Sequence, residues 1–417
     1  MSRVRMTAGL VLAYVLALGA SVACADGDDK VAPEPPPVDP RQVIEGGVAD
    51  ASDPDVDIKA PSGCSPDGFC YVPVPSSTPL IAVSASSADD AWMLAEQSGA
   101  ILRWNGKAIE QLYEYDGANP SSITFTSIWA AKPDDVWAAA TTSEGRLFFV
   151  HYGKRGGANA PAFRELATEE PDGATRAVWG TPAGDALWVA TASTVLRVRE
   201  DASGAVVEDL RPSAGADDEL GYVWNGVWGF GPDDVFVAGK ICPSSPCGWE
   251  GQGAIAHYDG TKWSITTLDS ASDVSSLHGT PPGADRQLWY DAIEEVSPGE
   301  SVLKTHLVTA TSDGKLGAEL FTHATNDAPA CSTRIGQAAS AAVGWFSSGN
   351  LLCRWNGKAL AHAVTAVDDR PLIGVLSGIW AGGADDVWLV GAAVTRTGLP
   401  TRPVAARRTA TTAQAGE

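Results

Sequence analysis

The sequence is short of positive charge: 29 Lys and Arg stand against 51 Asp and Glu, a formal net charge of −22. That balance excludes nucleic acid and anionic lipid as expected partners, because both are gripped through Lys and Arg. Recognisable catalytic and metal motifs are missing as well. No Cys-x-x-Cys or clustered Cys/His spacing points to zinc, and there is neither a phosphate loop nor a metalloprotease helix. No metal and no cofactor are expected. With 44% apolar and 19% charged residues, general disorder is excluded. Three Met accompany fifteen Trp. Trp is costly to place unless its ring is buried and its N–H partnered, so fifteen imply a recurring structural slot.

At the N-terminus, Arg3 and Arg5 precede an apolar run from Leu10 to Leu18, followed by small residues as far as Ala23. This pattern reads as a signal peptide over 1–23, its apolar run too short for a comfortable membrane span. Ser21-Val22-Ala23-Cys24 resembles a bacterial lipobox, with Ser21 where Leu is usual; Ser-x-Ala suits ordinary signal peptidase too. Seven Cys is an odd number for an exported chain. Setting Cys24 aside as a lipidation site leaves Cys64/Cys70 and Cys242/Cys247 in short loops, and Cys331/Cys353 by elimination, as three disulfides of an oxidising compartment. The expected localisation is therefore a membrane-anchored lipoprotein of the bacterial envelope, or otherwise a secreted or periplasmic protein. Its membrane contact is through the N-terminal lipid only. Residues 24–62 follow as a Pro- and Asp-rich disordered tether, with no aromatic ring and too little apolar area to offset ordering.

The mature body repeats itself. Thr126-Ser-Ile-Trp-Ala-Ala-Lys-Pro-Asp-Asp-Val-Trp137, Asn225-Gly-Val-Trp-Gly-Phe-Gly-Pro-Asp-Asp-Val-Phe236 and Ser377-Gly-Ile-Trp-Ala-Gly-Gly-Ala-Asp-Asp-Val-Trp388 each read as two short strands around a turn. A second motif, Leu102-Arg-Trp-Asn-Gly-Lys107, Ala256-His-Tyr-Asp-Gly-Thr261 and Cys353-Arg-Trp-Asn-Gly-Lys358, predicts a hairpin with a type I′ turn. Four strands per repeat follow, lettered a to d. The strand-b anchors are Trp92, Trp137, Trp188, Phe236, Trp289, Val343 and Trp388; the strand-a slot holds Trp129, Trp179, Trp228 and Trp380, with Ser84, His278 and Ile335 elsewhere. The fold expected is all-β: a seven-bladed β-propeller of four-stranded antiparallel blades over 63–410, ahead of a disordered tail at 411–417. The last repeat lacks a strand d, and Gly68-Phe-Cys-Tyr-Val-Pro-Val74 is suited to fill that place and close the ring.

These residues resemble a family of exported bacterial propeller proteins, often lipoproteins, with repeats of the type Val-Trp-Gly…Asp-Val-Trp-Ala-Val-Gly…His-Trp-Asp-Gly-x-x-Trp. The Cys-x5-Cys and Phe-Cys-Tyr-Val-Pro lead-in matches as well. The resemblance implies a fold and little about activity.

The Asp pairs at the a–b turns have sufficient reason in side-chain bonding to the local backbone. The sialidase pattern Ser-x-Asp-x-Gly-x-Thr-Trp is absent, and no carboxylate pair recurs near strand a, so no catalytic residue is assigned. The d–a and b–c connections, which share one face of a propeller, are long and acidic, among them 113–122, 240–253 and 294–301. Tyr113, Tyr115, Asp116, Trp249 and Glu250 are the candidate binding residues there. The function expected is a non-catalytic, envelope-tethered binding or scaffold module, a monomer with a protein or glycan partner. A propeller-type glycan hydrolase or lyase is the alternative.

Overall fold

A computed structural model describes residues 63–410, apart from short connecting segments at 97–98, 118–122, 155–159, 169–173, 203, 214–219, 245–246, 248–249, 284, 298, 328–329, 350, 368–369 and 395–399. The signal segment 1–23, Cys24, the tether 24–62, Trp249 and the tail 411–417 lie outside the described residues.

Seven four-stranded antiparallel sheets form, each with its strands in the order a, b, c, d. The chain is a seven-bladed β-propeller. The a strands are Leu80–Ser87, Ile123–Lys132, Thr175–Gly180, Gly221–Gly231, Ala271–Gly279, Ile335–Ser340 and Val375–Ala381 for blades 1 to 7. They line a common cavity. Strand b reads as a continuous apolar run because neighbouring blades cover both of its faces: all six residues of Asp90–Ala95 are buried. Outermost strand d is largely solvated, as in Ile109–Glu114.

Blades meet through a large ring set over a small residue. The indole of Trp129 in blade 2 lies against Gly180 of blade 3, and Trp228 of blade 4 against Gly279 of blade 5. Trp228 Nε1–H also donates to Thr280 O at 3.2 Å. Where the slot lacks Trp, hydrogen bonds replace ring packing. Ala130 N–H donates to Ser84 Oγ at 2.9 Å, and Ala381 N–H to Gln337 Oε1 at 3.3 Å.

In blades 1, 2 and 4 the second Asp of the pair does more than shape the turn, and in blade 7 the first, Asp385, takes Arg408 at 2.9 Å. Asp90 holds Arg103 at 2.6 Å, and that guanidinium covers the Trp92 ring at 4.8 Å. Asp135 holds His151 at 3.1 Å, and the imidazole stacks on Trp137 at 3.9 Å. In blade 4, Asp234 takes His257 at 2.9 Å together with Arg286 of blade 5. The first Asp can reach across blades: Asp89 meets Arg407 of blade 7 at 2.8 Å. The pairs thus act through strand c and neighbouring blades, a stronger role than the local backbone bonding expected of them.

Three other expectations need correction. In blade 6 the anchor is Trp345, fully buried and paired with Arg354, while Val343 pairs with Ser340, the place Asp135 holds in blade 2. The strand-a slot of that blade is accordingly Gln337, not Ile335. The c–d turns are not two-residue Asn-Gly hairpins. Asn105 precedes the turn centre, its Oδ1 accepts from Lys107 N–H and Ala108 N–H at 3.0 and 3.1 Å, and Gly106 sits at φ 90°. Asp259 and Asn356 repeat this arrangement. Finally, 294–301 is not an irregular connection, because the strands Gln287–Ser297 and Glu300–Ala310 run through it as one extended hairpin.

Closure follows the expected route. Cys70–Val72 pairs with Pro400–Arg408 in the register Cys70↔Arg407 and Val72↔Ala405, giving blade 7 its strand d. Phe69 is fully buried and meets Trp345 of blade 6 edge-on at 5.5 Å, and Asp67 O accepts from Arg408 Nη1. The disulfide Cys64–Cys70 clasps this segment; Cys242–Cys247 and Cys331–Cys353 are also bonded.

Two predictions follow from these contacts. Phe69→Ala costs about 3–5 kcal/mol and Cys64→Ser with Cys70→Ser about 2 kcal/mol, each read as a lower urea midpoint; an unchanged midpoint in both would deny the clasp its role. The second concerns acid. Burial alone would raise the Asp234 carboxyl, but hydrogen bonds from His257 and Arg286 outweigh it and hold the group below its usual value. A depressed carboxylate contributes stability above the unfolded value near 4 and loses it as pH falls through the folded one. Asp234→Asn therefore flattens the loss of stability in titrations below about pH 4. An unaltered acid limb would contradict this.

Candidate binding site at the mouth of the central cavity

The inner strands share a defect. In six blades, strand a carries one extra residue against strand b at the same place, three positions before the Trp slot. These bulged residues are Ile81, Thr126, Arg176, Asn225, Ser275 and Ser377. In blade 6, Arg334 takes the equivalent place just ahead of its strand. A bulge bends the strand and re-aims a side chain. All seven line the central cavity of about 450 Å³, toward the end where the d–a connections deliver each strand.

Apart from the two arginines, the ionisable side chains of that lining come down to His278; no Asp or Glu is among them. Arg176 Nη1 donates to Asn225 Oδ1 at 2.9 Å, and Asn225 Nδ2 in turn donates to Asp273 Oδ1 at 3.1 Å and Val274 O at 2.9 Å. Burial raises the Asp273 carboxyl, opposed by nearby Lys240 and Arg176. His278 is half-buried against the cavity, and its desolvation pushes the imidazole down to about 4, so it is neutral at physiological pH.

Arg334 is exposed and has no hydrogen bond or ion pair among the described residues, yet its backbone is held from two sides. Thr333 N–H donates to both oxygens of the fully buried Asp291, at 2.9 and 3.0 Å, and Thr333 Oγ1 donates at 2.8 Å. Burial pushes the Asp291 carboxyl up against these bonds. Two residues earlier, Cys331 is bonded to Cys353 and both are fully buried. His362 lies near these sulfurs, the grouping among the described residues closest to a metal cluster, but the disulfide leaves no thiolate to ligate.

The residues expected on the binding face do not converge. Tyr113 and Tyr115 are half-buried between blades 1 and 2. Tyr113 O–H donates to Glu165 at 2.7 Å and its ring meets Phe163 at 5.1 Å, while Tyr115 meets Phe148 at 5.6 Å. Asp116 is exposed beside them, and Glu250 is exposed three blades away on the connection after strand b of blade 4. Sequence reasoning missed the bulge ring. No recurring residue type marks the place, because the residue three before each strand-a slot and its neighbours, Leu80, Phe125, Thr175 and Trp224 among them, all vary.

No family model matches the chain, and no curated protein matches it. Solved structures do. The β-propeller domain of Cps50 (Swd1) from Myceliophteria thermophila is 12% identical with a TM-score of 0.55, over 81% of this chain and 99% of that one. YCF48 bound to D1 peptide and a streptogramin B lyase are each 13% identical with TM-scores of 0.51, over 82% of this chain and 97% of theirs. The likeness is one of fold. Propellers of this shape serve proteins as different as a lyase and a peptide binder, so the site must carry the function.

The interblade packing beneath the ring gives a further prediction. A Cβ on Gly279 would lie 2.3 Å from the Trp228 indole. Gly279→Ala is expected to cost about 1–3 kcal/mol by overpacking, lowering Tm in calorimetry. An unchanged Tm would mean that blades 4 and 5 are not held by this contact.

Proposed function

We propose that this chain is a non-catalytic, envelope-tethered binding or scaffold module whose protein or glycan partner seats on the long-loop face, over the mouth of the central cavity. The observation that carries this reading is the ring of bulges. Seven blades present side chains of five residue types at a single mouth, where repetition of the scaffold would be enough for folding alone. The asymmetry of the ring agrees with it: the opposite face carries the short, repeated Asn/Asp-Gly turns. The peptide-bound propeller among the structural neighbours supports this reading.

Against the hydrolase or lyase alternative, the cavity lining among the described residues has no carboxylate, so a paired general acid and base has no place there. Lipidation at Cys24 and a tether over 24–62 belong to the same reading, supported by the sequence pattern and by the three disulfides, which suit an oxidising compartment. Asp116 and Glu250 stand as outer contacts on the same side of the ring.

Thr126→Trp and Ser377→Trp would fill the mouth, whereas Lys107→Glu changes only a turn on the opposite face. Crosslinking of the tethered full-length protein in envelope preparations should yield a partner that the two Trp variants lose and the turn variant keeps. Equal recovery by all three, or sugar released from a polysaccharide panel by the purified protein, would contradict the proposal.

A further inference from the structure

We infer that the mouth of the central cavity binds the C-terminal carboxylate of a polypeptide, gripped between Arg176 and Arg334. This deepens the reading above and rests on it.

Charge carries the first part of the argument. In a chain with 51 acidic and 29 basic residues, the cavity lining has two arginines and no acid among the described residues. With His278 neutral, the local charge is positive inside an acidic protein, and the surrounding acids repel anions that approach elsewhere. Arg176 on blade 3 and Arg334 on blade 6 approach the mouth from well-separated sides of a seven-blade ring. Each presents a planar fork of donors matched to the two oxygens of a carboxylate. Arg176 uses one of its groups on Asn225, which is itself fixed.

Rigidity carries the second part. An Arg without a partner usually rides on a mobile surface, but Arg334 follows a segment held by a buried disulfide and a buried carboxylate. Burying Asp291 to hold one loop is a costly arrangement, and it places the backbone of Arg334 in one position. Sites that recognise a charged group need this kind of support.

The rest of the lining selects a peptide over a sugar. Trp129 and Trp228 are packed against each other at 6.3 Å, and Trp129 against Trp179 at 6.2 Å, so these rings are engaged with one another and offer no free stacking platform. Around the arginines, the bulges instead supply the hydroxyl of Ser377 and those of Thr126 and Ser275, which donate to Ala139 O and Asp291 O and keep lone pairs able to accept from the N–H groups of an extended chain. A volume of about 450 Å³ takes the last residues of such a chain and excludes a folded domain.

The test uses the full-length protein on arrays of short random peptides, displayed with free C-termini and, in parallel, with C-terminal amides. Polygalacturonate serves as the acidic saccharide probe. Free-acid peptides should bind and their amides should not. Arg334→Gln and Arg176→Gln should each weaken the best free-acid peptide about tenfold or more, with Arg334→Lys losing less and with unchanged thermal unfolding. Binding should also weaken with added salt. Equal binding of acids and amides, or indifference to both Gln variants, would overturn the carboxylate, and so would binding of polygalacturonate without peptides. If the amides bind as well as the acids but Thr126→Trp still blocks both, only this inference fails. If binding ignores Thr126→Trp, the reading of the face fails with it.

Discussion

A Trp of one inner strand lies over a glycine of the next blade, and much of the molecule depends on that contact. It brings consecutive a strands to a fixed spacing around one axis, as Trp129 does over Gly180 and Trp228 over Gly279. Because the slot is a fixed place in the register, anything offset from it by a constant number of residues is also arranged in a ring. The bulges three positions earlier are such a feature. Their side chains can vary in chemistry because the packing beneath them does not.

Charge is divided in the same way. Acids at the a–b turns are engaged by Arg and His of strand c, which lie over the anchor rings, as in Asp90–Arg103–Trp92 and Asp135–His151–Trp137. Turn acids also tie blades together, through Asp89 to Arg407 and Asp234 to Arg286. Cations in a chain of net charge −22 are therefore largely drawn into structural pairs. Among the described residues, Arg176 and Arg334 stand outside these ion pairs, and both lie at the cavity mouth.

Much of the fold was legible because strand chemistry and turn chemistry recur. Trp or Phe two residues after an Asp pair, with Val or Ala between, locates strand b wherever the pair is present. Blade 6 lacks the pair, and its sequence points to the nearest Val as the anchor; the register shows that Val343 stands where Asp135 does, two residues short of Trp345. The clamp between Asp, cation and ring was not legible, because its members lie on adjacent strands whose register is unknown until they pair. The mouth was harder still. A bulge has no fixed residue type, and Ile81, Thr126, Arg176, Asn225, Ser275 and Ser377 have a position in common rather than a chemistry. Tyr113 and Tyr115, conspicuous as aromatics on a connection, prove to be packing between blades 1 and 2.

The central claim is that a partner docks over the mouth of the central cavity rather than on the opposite face. Hydrogen exchange of the protein with and without its recovered partner tests this most directly. Slowed exchange centred on the inner-strand starts around 81–83, 126–128, 176–178, 225–227, 275–277, 334–336 and 377–379 is the result expected. Protection at the opposite turns, around 105–108, 259–262 and 356–359, with the inner strands unaffected, would contradict it.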